Sequence, residues 1–213
     1  GKTSVTEPAP TRDHTERMLQ GFGYGVERTA DTCSIQGQGH LVATDIDVPS
    51  DISSATFFLV AAAICKGSDL VIEHVGMNPT RIGVVNILRL MGADLNVQNE
   101  REVGGEPVAD LHIKYSPLKG IHVPEDQVPL AIDEFPALMV AASCATGTTT
   151  ITGAEELRVK ESDRIQAMVD GLSAMGVHIE GTSDGAVIEG MGAQAQFTAA
   201  QIVTHHDHRI AMA

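Results

Sequence analysis

Two alanine-rich stretches, ISSATFFLVAAAIC at 52–65 and FPALMVAASC at 135–144, lack the continuous polar stripe of a surface helix. Helices that are apolar on nearly every side are core helices, so both are expected to be buried. Asp51 and Asp133 stand shortly before them, and Gly67 and Gly147 follow them. A strand-like segment comes next in each case, SDLVIEHVG and TTTITGA, and then a second helix. The first of these second helices is expected to start at Pro79-Thr80 and run through RIGVVNILRLMG. In the other, SDRIQAMVDGLSAMG, residues Ile165, Met168, Val169, Leu172 and Met175 fall at helical spacing, and Gly176 takes the residue position just past the helix end. Both second helices close on Met-Gly and lead into a strand. Gly67 corresponds to Gly147 and Gly92 to Gly176, so the landmarks recur roughly every 80 residues. A third copy opens at Asp207 with DHRIAMA. Each unit reads as helix, strand, helix and two strands. That period is too long for a solenoid and suits a domain assembled from a few α/β modules about a pseudo-symmetry axis.

Residues 1–48 have a different pattern. TRDHTERMLQGFG reads as a short helix capped near Thr11 or Asp13 and ended by Gly21 or Gly23. Short strand-like pieces, GVERTA and CSIQG, follow, and Pro49-Ser50 is the expected boundary. The chain starts without Met and stops within an apolar run, so a piece of a longer protein is expected.

Composition narrows the function. The 213 residues carry a net charge of −14, with 3% aromatic side chains and no Trp. A nucleic-acid binder needs a basic surface and usually aromatic stacking platforms, so that class is disfavoured. A small anionic substrate is not, because a few cations focused in one cleft outweigh the global field. Cys65 and Cys144 lie in apolar runs and are expected to be buried, reduced thiols, which points to a cytoplasmic compartment. The longest apolar run, FFLVAAAIC, is too short to span a bilayer.

The candidate chemistry sits at helix starts. Asp51, Asp133 and Asp207 each precede an apolar helix, where a carboxylate caps backbone amides. Asp133 has a second reading as a general base, because IDEF sets two carboxylates side by side. RVKESDR, at 158–164, places Arg164 in a first helical turn, where the helix dipole disfavours a cation. Helix amides with Lys160 and Arg164 would clamp a phosphate or carboxylate, with Glu161 between them as an acid/base group; a solvated charge run is the alternative. Arg209 and, in MNPTR, Arg81 repeat the pattern of an Arg at a module start. HHDHR, at 205–209, offers His206 and His208 as an HxH pair, but no further ligand cluster completes a metal site. RDHTE is either a polar helix face or the source of Arg12 for a phosphate site.

Taken together, EPAPTRDHTERML, DISSATFF, IDEFPALMVAA, ELRVKESDRI and HDHRIAMA resemble the 5-enolpyruvylshikimate-3-phosphate synthase family of enolpyruvyl transferases. They stand in family order over nearly the whole chain. The related transferase acting on UDP-N-acetylglucosamine does not share the KESDR and HDHRIAMA pair. RDHTE and NPTR further resemble the class II subgroup, which is associated with glyphosate tolerance. The resemblance implies inside-out α/β barrel domains built from βαβαββ modules with pseudo-threefold symmetry. Residues 1–48 would end one domain, and 49–213 would form most of a second with its third module truncated. It also implies transfer of the enolpyruvyl group of phosphoenolpyruvate to the 5-hydroxyl of shikimate 3-phosphate, with release of phosphate and no cofactor or metal. The full protein would be a monomer, with neither nucleic acid nor membrane as a partner, and the 213 residues alone would be inactive. By the same resemblance Asp133 and Glu161 are catalytic; Arg12, Asp133 and Lys160 bind shikimate 3-phosphate; Arg164, Arg209 and His208 form the phosphoenolpyruvate end.

Overall fold

The structure, a computed structural model, describes residues 1–7, 11–29 and 31–213. Two successive units carry the helix, strand, helix, two-strand order. The first comprises α2 (Ile52–Ile64), β4 (Asp69–Gly76), α3 (Gly83–Leu90), β5 (Asp94–Val103) and β6 (Glu106–Lys114). The second comprises α4 (Phe135–Ser143), β7 (Thr146–Ile151), α5 (Arg164–Ala174), β8 (His178–Gly181) and β9 (Ala186–Met191). Both sheets have the same topology, with the last strand in the middle: β4-β6-β5 and β7-β9-β8, each pair antiparallel. A short parallel bridge precedes the first helix of each unit, Ser50 to Val75 in one, and Lys119 to Thr146 and His122 to Thr150 in the other. These bridges complete a βαβαββ order. A third helix start, α6 (His208–Met212), opens after Asp207.

The core lies among the helices, with the sheets around them. In α4, eight of nine residues are buried, including Phe135, Leu138 and Met139. Side chains of that size each contribute about 1.5–3 kcal/mol when fully buried. α2 contacts α4, and α4 contacts α5 and α6, so the apolar helices bury one another. Gly92 and Gly176 both adopt positive φ, 91° and 94°, just past the ends of α3 and α5, as the repeated Met-Gly predicts. Gly83 is needed for a close approach: a Cβ there would stand 2.7 Å from the backbone carbon of Leu130. α3 thereby presses on the 3-10 turn Pro129–Glu134, which carries Asp133.

Residues 1–48 contain a three-stranded antiparallel sheet, β1 (Lys2–Thr6), β3 (Thr32–Gln36) and β2 (Val26–Arg28), with α1 (His14–Gly21) between β1 and β2 in sequence. β1 was not foreseen, since KTSVT lacks the alternation of a half-buried strand and all five residues are exposed.

Other expectations need correction. α3 starts at Gly83, so Arg81 lies in the preceding turn rather than in a first helical turn; the side chain of Asn78 accepts from the Thr80 amide and shapes that turn instead. Cys65 is exposed at the end of α2 rather than buried, because the apolar run outlasts the helix by one residue. Cys144 is half-buried, burial pushes its thiol up, and all three cysteines are free. Among the described residues no helix is long and apolar enough to cross a membrane.

Candidate active site

The openings of α5 and α6 and the turn before α4 meet at one buried ion cluster. Asp163 caps α5, accepting from the Gln166 amide at 2.9 Å, and Arg164 is the first helical residue. Arg164 is 1% exposed, so the solvated-run reading of RVKESDR fails for it. Its cost at a positive helix end is met by three carboxylates instead. Nε donates to Asp207 Oδ2 at 2.8 Å, Nη1 to Asp133 Oδ1 at 3.2 Å, and Nη2 to Glu161 Oε2 at 2.5 Å. Burial pulls the guanidinium down, but Asp207, Glu161 and Asp133 together push it above its usual value. Asp207 is likewise buried and caps α6, accepting from the Arg209 amide at 2.8 Å and from Ser162 Oγ at 3.0 Å. Burial raises its carboxyl, and the bonds from Arg164, Arg209 and Ser162 more than reverse that.

Asp133 does not cap α4. It lies inside the 3-10 turn, and its carboxylate faces side chains from two distant parts of the chain. Arg12 Nη2 donates to Oδ2 at 2.5 Å, while Arg164 Nη1 and Lys160 Nζ lie 3.2 and 3.7 Å from Oδ1. Burial pushes the Asp133 carboxyl up, but the Arg12 hydrogen bond and the charges of Lys160, Arg12 and Arg209 overcome it and hold it at about 2. Lys160 is shared, since Glu156 one helical turn earlier also accepts from its ammonium.

A second cluster adjoins the first. Glu134, 3% exposed, accepts from Ser53 Oγ, and Arg81 donates to that same hydroxyl. Arg81 also reaches Asp51 at 3.3 Å, while Arg209 Nη1 lies 3.9 Å from Glu134. Asp51 caps α2 through the Ser53 and Ser54 amides. Burial raises the Glu134 carboxyl; Ser53, Arg81 and Arg209 counter this only in part, and Asp133 adds to it. A carboxyl raised by folding takes up protons as the chain folds, so its effect on stability worsens as pH climbs from the unfolded value toward the folded one. Glu134→Gln is therefore expected to gain stability relative to the parent as pH rises above 4.5, with the gain levelling off once Glu134 is ionised. Urea midpoints across that range measure it, and a variant that loses ground to the parent as pH rises would contradict it.

Six of the seven side chains foreseen as site residues thus converge: Arg12, Asp133, Lys160, Glu161, Arg164 and Arg209. His208 does not join them. It is exposed and makes no hydrogen bond among the described residues. His205 and His206 are exposed at positive φ, 52° and 59°. Among the described residues no three His, Cys, Asp or Glu side chains converge as metal ligands. Sequence reasoning missed Ser53, Glu156 and Asn78. The available signal for Ser53 was a hydroxyl inside a run that has to be buried, and a buried hydroxyl needs a partner.

The cluster sets five cations, Arg12, Arg81, Lys160, Arg164 and Arg209, against carboxylates that a multiply charged anion would replace as partners. Arginine forks match phosphate and carboxylate oxygens two at a time. A ligand with both groups fits this donor set.

The family model for EPSP synthase (3-phosphoshikimate 1-carboxyvinyltransferase) matches residues 1–213. The chain belongs to the EPSP synthase family. It is 63% identical to the 3-phosphoshikimate 1-carboxyvinyltransferase of Alkalilimnicola ehrlichii over 213 residues, all of this chain and 47% of that protein. The solved structure of EPSP synthase from Acinetobacter baumannii superposes with a TM-score of 0.96 at 63% identity, covering 100% of this chain and 49% of that one. The enolpyruvyl transferase NikO from Streptomyces tendae shares the fold, with a TM-score of 0.67 at 18% identity over 90% of this chain and 43% of its own. The chain spans about half the length of the curated relatives it matches. The inside-out α/β architecture expected of an EPSP synthase agrees with the two βαβαββ units and their buried helices.

Proposed function

We propose that the full-length protein is a 3-phosphoshikimate 1-carboxyvinyltransferase, joining phosphoenolpyruvate to the 5-hydroxyl of shikimate 3-phosphate and releasing phosphate. In this reading residues 1–48 end one domain and 49–213 form most of the second. The observation that carries it is the Asp133 carboxylate within 2.5–3.7 Å of three cations from two distant parts of the chain, Arg12 and the Lys160–Arg164 segment. Arg12 and Lys160 take the shikimate phosphate and the neighbourhood of the reacting hydroxyl. Arg164 and Arg209 take the phosphate and carboxylate of phosphoenolpyruvate, with His208 at the exposed edge.

The chemistry follows from charge exchange. While Asp133 is paired with three cations it is a poor base, held at about 2. Substrate anions compete for those cations, and every cation drawn away makes Asp133 more basic. It then accepts the 5-hydroxyl proton as the oxygen attacks C2 of phosphoenolpyruvate. Glu161, half-exposed beside Arg164, takes up a proton from solvent once the substrate anion draws Arg164 away; it gives that proton to C3, and C2 acquires the cationic character that the hydroxyl attacks. The tetrahedral intermediate expels phosphate, which takes the proton held by Asp133 as it leaves, and Glu161 takes the C3 proton back. The arginines stabilise charge on the departing phosphate.

Phosphate release by the full-length enzyme tests this. Release is expected only with both phosphoenolpyruvate and shikimate 3-phosphate present. Release from phosphoenolpyruvate alone would point to a hydrolase, and none with both would remove the reading.

A further inference from the structure

The two motifs RDHTE and MNPTR, far apart in sequence, meet through one buried side chain. Asn78 is 2% exposed and all its polar atoms are engaged. Nδ2 donates to Asp13 Oδ1 at 2.7 Å and to Glu106 Oε2 at 3.0 Å. Oδ1 accepts from the Thr80 amide at 2.9 Å and from Thr80 Oγ1 at 2.7 Å. The amide is therefore fixed in orientation by its own turn and presents both hydrogens to α1 and β6. Glu106 in turn accepts from His14 Nδ1 at 2.7 Å, and Arg17 donates to Asp13 at 3.0 Å and to the Gly105 carbonyl at 3.1 Å.

These polar ties are what hold the start of α1. No residue of α1 is buried. A cavity of about 310 Å³, lined among others by His14, Met18, Phe22 and Asn78, lies beside it. Asp13 sits at the cap position of α1 yet caps no amide; its carboxylate goes to Asn78 and Arg17 instead, with Arg28 Nη1 3.5 Å from its other oxygen. The residue directly before it is Arg12, whose guanidinium reaches Asp133. Every shift of Asp13 is passed to Arg12 through a single peptide unit.

We propose that Asn78 is a positioning residue for the shikimate 3-phosphate subsite: it anchors Asp13 and so sets where Arg12 stands relative to Asp133. The inference rests on the function proposed above. Asn78 makes no hydrogen bond to Asp133, Lys160 or Arg164; the Arg81 amide donates to its carbonyl at 2.8 Å, a backbone bond that Asn78→Ala keeps, so the route from its side chain to shikimate 3-phosphate is through Arg12.

A double-mutant cycle in the full-length enzyme tests it, using Asn78→Ala, Arg12→Ala and the pair, with thermal melts alongside. Asn78→Ala is expected to raise KM for shikimate 3-phosphate about tenfold, with kcat and KM for phosphoenolpyruvate little changed, as lost ground-state binding would. In the Arg12→Ala background it is expected to add almost nothing, because the residue it positions is gone. Effects that multiply, or a lowered melting temperature with KM unchanged, would make Asn78 merely structural and overturn the proposal. Should Asn78→Ala fail to fold, Asp13→Ala removes the same tie from the exposed helix and takes its place in the cycle, with the same outcomes. A parent enzyme that does not release phosphate with both substrates sinks the functional reading itself, which separates the two failures.

Discussion

Replacing Arg164 with methionine is expected to cost the full-length protein about 3–5 kcal/mol of stability and nearly all of its turnover. Arg164 is 2% exposed at the side chain, and its partner Asp207 is fully buried. Methionine matches the length of the stem but leaves Asp207 with the Ser162 hydroxyl and the Arg209 amide for a whole negative charge. The loss is a large share of the roughly 5–15 kcal/mol that holds an ordinary domain together. Stability and chemistry separate in a second variant. Asp207→Asn keeps the oxygen that accepts from the Arg209 amide at the α6 cap, turns the other position into an NH2 that donates to the Ser162 hydroxyl, and removes the charge, so Arg164→Met with Asp207→Asn is expected to recover most of the lost stability. Turnover stays low in both, because neither holds the phosphoenolpyruvate anion. Urea unfolding and phosphate release read the two effects, and a double variant no more stable than the single would contradict the account. Arg164→Lys is no substitute, since one ammonium cannot reach three carboxylates lying on different sides of a planar fork.

Asp133→Asn is expected to lower kcat by about 10²–10⁴, the usual worth of a positioned general base. Asparagine retains the shape, and the Arg12, Lys160 and Arg164 charges remain for the substrates, so KM is expected to hold or fall while kcat collapses. The same substitution carries a stability signature. The folded carboxyl sits at about 2 against an ordinary 3.8. A depressed carboxyl adds stability that is fully present above the unfolded value and disappears as pH falls through the folded one. The shift corresponds to roughly 2 kcal/mol at neutral pH. The parent is therefore expected to exceed Asp133→Asn in stability near pH 7, and the gap to close as pH drops from about 4 toward 2. An unchanged kcat would discard Asp133 as the base while leaving the ion cluster intact, and a gap that persists in acid would discard the linkage.

Both predictions depend on where a charged residue ends up, and that is where reading the chain alone had least to offer. RVKESDR is equally compatible with a wet helix start and with a buried clamp, because local composition is the same in either. What decides between them is that α6 brings Asp207, and the turn before α4 brings Asp133, onto the Arg164 guanidinium. Asp133 has the local setting of a cap, yet the 3-10 turn rotates it away from the α4 amides and toward Arg12, 121 residues earlier. Arg81 misses its expected helix because Asn78 turns the chain first.

Other features were determined locally. The repeated order of helix, strand, helix and two strands was legible because apolar periodicity reports which faces must leave water, and that depends on near neighbours. The caps at Asp51 and Asp207 were legible for the same reason: a carboxylate and the amides two or three residues later need no distant partner. Gly92 and Gly176 mark helix ends through their own backbone angles. The sequence by itself therefore determined the repeated order of the modules and the charged residues available for chemistry. Only the tertiary structure decided which of those charges share one carboxylate, that His208 stays outside, and that Asn78 ties the first 48 residues to the rest. Such contacts join residues that no periodicity relates, and their strength comes from burial, which exists only once the chain has folded.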